Sequence, residues 1–481
     1  MFRKNNIHEE IIEALSKNGQ DISKRVIQGK GGETCILFIK QLTDRIMLSN
    51  YIIQPMMTYL SEEKPLVDAQ TCANQIIYTD DCTVESSEEK ILESLLNGMT
   101  VILFTGKLDF LVVNIKKVEK KPMESPELTY TLRGPRDCFV ENLDVNLSLI
   151  RYRIKDPKLK IIMLEAGSRT KTRIAVIYID DIANSSIVNK IESRIRAINT
   201  DGIIESGELQ KSLLNNQFNL FPQMGIVERS DMACGALLEG KVMIVTEGSN
   251  LSLVAPKTFG EFLWACEDNY DNQFVAIFMK IIRVIAINIS IALSSIFVIF
   301  SSFNQDLIPS EYIIIIAVSR AHVPFNSFTG ALLLEFVVEL LREALLRVPK
   351  QIGSAIGIVG AIIIGQAAIS SGIFSPLLLI LVSVSFLASF AVPDYTIMNP
   401  LRLLKFLVLV MTGTLGLFGF TLGMCFIITS IISTSSFGVP YLAPLAPFNW
   451  YDFTRTIFYS KTIAKKRPNF LKTKDNTRTK H

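Results

Sequence analysis

Hydrophobic and polar positions along the chain follow two regimes. Up to about residue 270 they alternate at the periods of strands and helices, whereas from 275 to 448 apolar residues run almost unbroken. In the first regime residues 92–115 carry the clearest signal: a short helix closed by Asn97-Gly98, the run Thr100-Val-Ile-Leu-Phe, a Gly106-Lys107 turn, and Leu108-Asp-Phe-Leu-Val-Val. That order predicts a helix followed by a hairpin. Arg173-Ile-Ala-Val-Ile-Tyr-Ile predicts a buried strand, and Ile187, Val188, Ile191, Ile195 and Ile198 recur at helical spacing until Asp201-Gly202. Val242-Met-Ile-Val and Leu251-Ser-Leu-Val, joined by Glu247-Gly-Ser-Asn250, predict a second hairpin. Helix and strand alternate, so an α/β fold is expected for this half.

The second regime predicts an α-helical, polytopic transmembrane domain over 275–448. Residues 284–303 are uncharged and long enough to cross a hydrocarbon core, with Lys280 and Arg283 immediately before them. Residues 352–372, 374–392 and 406–433 supply further spans, the last with Gly413, Gly416, Gly419 and Gly423 at helical spacing. Tyr312-Ile-Ile-Ile-Ile-Ala-Val-Ser is too short to span alone and ends at Arg320-Ala-His322-Val-Pro324. The element 312–347 is therefore broken, and either crosses or re-enters. Arg342, Arg347 and Lys350 favour crossing and five spans. A basic tail over 449–481, with Lys461, Lys465, Lys466, Arg467, Lys472 and Lys474, favours re-entry, four spans and a cytosolic C-terminus. The balance tips to four.

Within the broken element, Glu335, Glu339, Arg342, Glu343 and Arg347 lie among residues suited to hydrocarbon. Each such charge costs roughly 2.5–3.5 kcal/mol on insertion scales, so the group marks a functional interior. At about 100° per residue the five fall within one broad arc, with Val337, Val338, Leu341, Ala344 and Leu345 opposite. A water-lined cavity or subunit seam is one reading; an amphipathic helix at the membrane interface, its charges among headgroups, is the other. In the following span Gly353, Gly357, Gly360, Ala361 and Ala368 form a small-residue face suited to close helix packing, and Gln366 fits an interhelical hydrogen bond.

Composition narrows the chemistry. The seven cysteines stand singly with no C-x-x-C pair, and three histidines are too few for a metal site, so neither disulfide framework, structural metal nor cofactor is expected. A net charge of +3 is too small to argue for nucleic acid, and the folded regions carry no basic stripe interleaved with aromatics, so no nucleic-acid partner is expected. The charged N-terminus lacks an apolar core of signal-peptide length, which places the soluble half in the cytosol. Gly29-Lys-Gly-Gly32 lacks P-loop spacing and leads into a strand-like run, Asp180-Asp181 lacks further carboxylates for a cation, and no catalytic triad can be assembled from His8, His322 and His481. No enzyme is expected.

Several segments keep a recognisable order: Leu132-Arg-Gly-Pro-Arg-Asp-Cys-Phe-Val-Glu-Asn, Asn146-Leu-Ser-Leu-Ile-Arg-Tyr-Arg, Phe221-Pro-Gln, Leu238-Glu-Gly-Lys-Val, Leu340-Leu-Arg-Glu-Ala-Leu-Leu-Arg-Val-Pro, Ile358-Val-Gly-Ala-Ile-Ile-Ile-Gly-Gln-Ala-Ala and Gly438-Val-Pro-Tyr-Leu-Ala-Pro. From about residue 35 to 450 the chain resembles the A subunit of the GerA family of spore germination receptors. It departs from the family pattern at Ser230, at Asp137-Cys138 and over Glu247-Gly-Ser-Asn250, which affects turns more than chemistry. The resemblance implies a soluble pair of α/β subdomains, 35–137 and 138–270, behind a charged flexible segment at 1–34. It further implies a nutrient receptor of the spore inner membrane, with a B subunit similar to amino-acid transporters sensing the germinant and a C subunit that is a lipoprotein. A subunits would then assemble in membrane lipid as a pentamer enclosing a gated cation channel, with the charges from Glu335 to Arg347 at the pore or at a coupling seam. A transporter subunit and a non-conducting scaffold remain as alternative readings.

Overall fold

The computed structural model describes residues 22–29, 32–61, 68–116, 135, 137–214, 219–348, 365–367, 369–458 and 464–478. One unit is built from residues 1–217, 224–256 and 465–481, and a second from 218–223 and 257–464.

Hairpins build the first unit, because a short turn sets consecutive strands side by side in antiparallel pairing. β1 (Ile22–Gly29) and β2 (Gly32–Ile39) pair from Ile22↔Ile39 to Gly29↔Gly32. Within 1–34, expected as a flexible segment, residues 22–29 and 32–34 are strand. β1 is an edge strand carrying Ser23, Lys24, Arg25 and Gln28, so it shows little of the apolar alternation that reveals central strands. With β3 (Cys82–Glu85), β4 (Thr100–Phe104) and β5 (Phe110–Val113), the sheet order is β1-β2-β4-β5-β3. Alternate residues of β4 serve opposite faces. Ile102 and Phe104 pack with Met56 of α1 (Gln54–Ser61), while Val101 and Leu103 pack with Ile91 and Leu95 of α2 (Glu89–Leu96).

A second antiparallel sheet follows, with β6 (Leu159–Ala166), β7 (Thr172–Ile179), β8 (Gly225–Val227), β9 (Val242–Thr246) and β10 (Ser252–Ala255) in the order β6-β7-β9-β10-β8. Ala175, Ile177, Met243 and Val245 face Leu147 and Ile150 of α3 (Leu143–Arg153) and Leu237 of a helix at Ser230–Leu238. The helix foreseen from the isoleucine spacing spans Ser185–Arg196, capped where the Asn184 side chain accepts from the Ser186 amide at 3.0 Å. The predicted tail divides: a helix at Trp450–Phe458 belongs to the second unit, and residues 465–481 belong to the first.

Apolar helices form the second unit. α4 (Gln273–Val298) continues through a π turn at Ile299–Phe303, giving 31 residues long and apolar enough to cross a membrane. It starts well before residue 284 because the cations taken as its flank have partners in the same unit: Arg283 meets Asp268 at 2.6 Å, and Lys280 donates to the Thr456 carbonyl at 3.1 Å. After α5 (Ser310–Arg320) the chain leaves the helix and resumes in α6 (Ser327–Arg347), followed by α7 (Pro376–Ser389).

The segment 406–433, expected as one span, is not one straight helix. The helical stretch α8 (Tyr395–Ser433) reverses at Gly416, where φ is 61° and ψ −138°, backbone that essentially only glycine adopts. In a straight helix residues 408 and 423 would stand about 22 Å apart. Here a β-carbon on Gly423 would lie 3.1 Å from a Val408 methyl, so two arms, 395–415 and 417–433, run back against each other. The apolar run hides this turn because no charged residue marks it. At 1.5 Å per residue the arms are about 31 and 25 Å long.

Two expectations follow. Gly416→Ala should cost about 1–3 kcal/mol through backbone strain, and Gly419→Ala at least as much, because the new methyl would strike the Met411 carbonyl oxygen. Gly235→Ala, which meets nothing within 4 Å inside a helix, should be neutral or stabilising by up to about 1 kcal/mol; thermal melts of the detergent-solubilised protein rank the three. Secondly, Asp180 is held below the ordinary carboxylate range by the Lys160 hydrogen bond, with Lys474 of the C-terminal segment adding to it. A depressed folded pKa stabilises above the unfolded value, about 3.9, and that contribution is lost as pH falls through the folded one. Proteolytic protection of residues 465–478 should be flat from pH 8 to 5 and decline below about pH 4.

Candidate functional site: a buried charge cluster

Four helices of the second unit bring two polar residues each, or three in one case, at spacings of three or four positions, to one place. Such spacing aligns a pair on a single helix face. α4 supplies Ser290 and Ser294, α6 supplies Glu335 and Glu339 together with Arg342, α7 supplies Ser385 and Ser389, and α8 supplies Arg402 and Lys405. Caps fix where these faces start. The Asn326 side chain accepts from the Thr329 amide at 2.7 Å, Ser375 caps α7 with Pro376 in its first turn, and the Asp394 side chain accepts from the Thr396 amide at 3.0 Å.

Around α6 the usual polarity is inverted. Glu335 is 1% exposed and Arg342 6%, while Leu333, Phe336 and Leu340 are exposed. A helix with charges inward and leucine and phenylalanine outward is at odds with a water-bathed surface and suits an apolar surrounding.

Inside the cluster each carboxylate finds a cation. Lys405 Nζ lies 2.6 Å from Glu335 Oε2 and donates to Ser385 Oγ at 2.9 Å; the other Glu335 oxygen accepts from the Ser294 hydroxyl, and Ser385 Oγ donates onward to the Ser290 carbonyl at 3.0 Å. Arg402 straddles Glu339, its Nε 3.2 and 3.1 Å from the two oxygens and Nη2 closing the fork, while Nη1 donates to Tyr395 at 3.0 Å and Asn399 at 3.2 Å. Arg342 has weaker compensation: Ser389 Oγ at 2.9 Å, Glu339 at 3.6 Å, and the faces of Phe386 and Phe390 at 4.8 and 5.3 Å. Its Nε has no hydrogen-bond partner among the described residues. Three cations stand against two carboxylates, a formal excess of one positive charge. The cavity between them, about 10 Å³, is about the room one water needs.

This geometry holds helices together and offers no chemistry of bond making. Lys405–Glu335 and Arg402–Glu339 tie α8 to α6, Arg342–Ser389 ties α6 to α7, and Lys405–Ser385 with Ser385–Ser290 runs from α8 through α7 to α4. Among the described residues no group of three His, Cys, Asp or Glu side chains is placed to hold a metal ion.

Only part of the arc expected from the sequence converges. From Glu335, the positions 339, 342, 343 and 347 fall near +40°, −20°, +80° and +120° at about 100° per residue, and the first two enter the cluster. Glu343 and Arg347, further round, pair with each other at 2.7 Å on the exposed side. Arg320 donates to the Ser301 carbonyl at 3.0 Å, and His322 and Pro324 lie exposed in the break between α5 and α6; none reaches the cluster. Gly353, Gly357, Gly360, Ala361 and Ala368 lie outside the described residues. Arg402 and Lys405 escaped sequence reading because they precede an apolar run and look like membrane-flanking cations. Their spacing of three, on the same face as Leu401, Leu404 and Val408, was the available signal.

Three comparisons bear on this chain. Residues 9–470 match the family model described as Bacillus/Clostridium GerA spore germination protein. Spore germination protein KA of Bacillus subtilis (strain 168) is 33% identical over 444 residues, covering 92% of this chain and 81% of that protein. Spore germination protein GerLA of Bacillus cereus is 32% identical over 473 residues, covering 98% and 96%. The crystal structure of the N-terminal domain of the A subunit of the Bacillus megaterium spore germinant receptor GerK3 aligns with a TM-score of 0.40 at 23% identity, over 53% of this chain and 96% of that one.

Removing one partner of a buried pair leaves an uncompensated charge. Glu335→Ala should therefore destabilise by about 3–5 kcal/mol, whereas Glu335→Leu combined with Lys405→Met should recover most of that loss. Glu343→Ala and Arg347→Ala should each stay within about 0.5 kcal/mol. Thermal unfolding of the solubilised variants, read beside their membrane levels, measures all four.

Proposed function

From the chain's membership of the Bacillus/Clostridium GerA spore germination protein family, we propose that it is a multi-pass A subunit of a nutrient germinant receptor in the spore inner membrane. It assembles with further copies of itself, as a pentamer, into a gated channel for monovalent cations. A B subunit similar to amino-acid transporters senses the germinant and a lipoprotein C subunit completes the complex. The chain carries no catalytic role in this reading.

One observation supports the assignment of a part to the buried cluster: Glu335 and Glu339 are bound to Lys405 and Arg402 instead of standing free. A carboxylate already paired with a cation is poorly suited to attract a passing one. The cluster then acts as a coupling lock. It defines one packing of α6 on α7 and α8, and sliding α6 past its neighbours requires breaking two ion pairs together. A packed interface with two discrete arrangements converts a small displacement at a partner into a gate movement. The outward apolar face of Leu333, Phe336 and Leu340 is left for lipid or a second copy.

Topology supports the multi-pass reading. The first unit contains both the N-terminal domain and residues 465–481; in this reading it lies on one side of the membrane, and the intervening chain crosses an even number of times. The two arms of α8 either both cross or neither does, and α4 crosses once. An odd number of crossings is thus left to residues 304–394.

Spores carrying Glu339→Gln, Arg342→Gln or Arg402→Gln in this chain test the proposal through nutrient-triggered release of monovalent cations. Release slowed at least ten-fold in all three, at parental protein level, is the expected outcome. Parental release and germinant sensitivity in all three would sink the coupling role, and a purified, lipid-reconstituted oligomer that conducts nothing would favour a scaffold.

A further inference from the structure

Residues 465–478 form a small closed loop. Lys466 and Thr477 make an antiparallel bridge, the Arg467 amide donates to the Asn476 carbonyl at 2.8 Å, and the Arg478 amide returns to the Lys465 carbonyl at 2.8 Å. Arg467 fastens it from within, its Nη1 donating to the carbonyls of Asp475 at 3.0 Å and Thr477 at 2.6 Å. A segment of this composition, with five lysines and arginines among its first ten residues, would otherwise be expected to stay solvated.

The loop is held on the second α/β subdomain by two buried side chains, Arg467 and Leu471, and by exposed contacts of Lys474. Arg467, only 6% exposed, donates from Nε to the Leu238 carbonyl at 2.8 Å at the turn before β9. The Lys474 amide donates to the Ile182 carbonyl at 3.0 Å, and its Nζ reaches the Asp180 carbonyl at 2.8 Å and carboxylate at 3.3 Å, just after β7. The Asn184 side chain donates to the Leu471 carbonyl at 3.3 Å, and Leu471 itself is 1% exposed. Gly240 has φ 93° and lies so close to Thr473 that a side chain there would collide with it. The acidic groups Asp181 and Glu239 of that surface act electrostatically on Arg467. Backbone acceptors, charge and an apolar anchor thus match this segment at several independent points.

The chain passes from the first unit to the second at 256/257 and returns at 464/465, a few residues after the helix Trp450–Phe458. We propose that residues 465–478 are a strap: a docked segment that connects the last helix of the second unit, Trp450–Phe458, to the soluble subdomain, so that a displacement of that helix is delivered to the turns at Asp180–Asn184 and Leu238–Gly240. The strap rests on the receptor reading above, since it transmits the movement that reading requires. A tether that transmits displacement must be short; slack removes the effect while leaving every docking contact in place.

Full-length protein in spores tests this with two lesions. A ten-residue Gly-Ser insertion between Phe458 and Ala464 lengthens the tether, and Arg467→Ala combined with Leu471→Ala releases the loop while leaving the Lys474 amine in place. Docking is read by carbodiimide cross-linking, which condenses the Lys474 amine with the Asp180 carboxylate to an amide with loss of water, the product peptide being identified by mass spectrometry. The insertion should keep the cross-link at parental yield yet slow nutrient-triggered cation release at least ten-fold; the double substitution should lose the cross-link and slow release equally, both at parental protein level. Parental release from the insertion variant with its cross-link intact overturns the strap, and so does loss of the cross-link on insertion, because docking would then depend on the tether. Glu339→Gln separates the two proposals: slowed release there beside parental release from the insertion variant defeats the strap alone, whereas parental release in both defeats the reading beneath it.

Discussion

The ion pair between Lys405 and Glu335 is the constraint around which the helical unit is arranged. Both side chains are almost wholly buried among apolar helices, and an ionised group there is tolerable only with a partner and with its remaining hydrogen-bonding capacity met. The serines meet that capacity: Ser294 serves the carboxylate, Ser385 the ammonium, and Ser290 the serine itself through its carbonyl. Each of these demands brings another helix into contact, so one pair recruits α4, α6, α7 and α8. The second pair, Glu339 with Arg402, repeats the link between α6 and α8 one helical turn further along. Two links on one axis fix rotation as well as position, which a single link could not.

Hydrophobic packing surrounds this core without defining it. Ala331, Leu334, Leu378, Val382 and Leu409 fill the contact among α6, α7 and α8, and such surfaces tolerate several relative positions of similar volume. Paired charges do not, because a shift of one residue leaves both ions unmet. The apolar contacts thus supply cohesion and the polar ones supply register.

Much of the architecture was legible from residue patterns. The hairpins at β4–β5 and β9–β10 emerged as short apolar runs bounded by turn residues, each strand being buried along its whole length, and the helix Ser185–Arg196 emerged from its helical spacing. The edge strand β1 did not, since few of its residues are buried. The reversal at Gly416 was hidden for a different reason: in an apolar run both arms and the turn between them have the same composition, and only a glycine among four marks the change of direction. The cluster was half legible. Its acidic side stood out because carboxylates are conspicuous among leucines, whereas Arg402 and Lys405 sit at a boundary where cations are ordinary. The serines gave no signal, since a buried serine usually bonds its own helix backbone.

The separation of the paired charges along the chain bears on how the protein is made. Glu335 leaves the ribosome seventy residues before Lys405, and Glu339 sixty-three before Arg402. For that interval α6 presents carboxylates with no cation to receive them, and its settling into an apolar phase is opposed by their full desolvation cost. The arms of α8, by contrast, meet across a turn of one glycine and can close as soon as they are synthesised. Closure of the cluster is thereby ordered: the acidic positions of α6 stay unmatched until the late hairpin supplies its two cations.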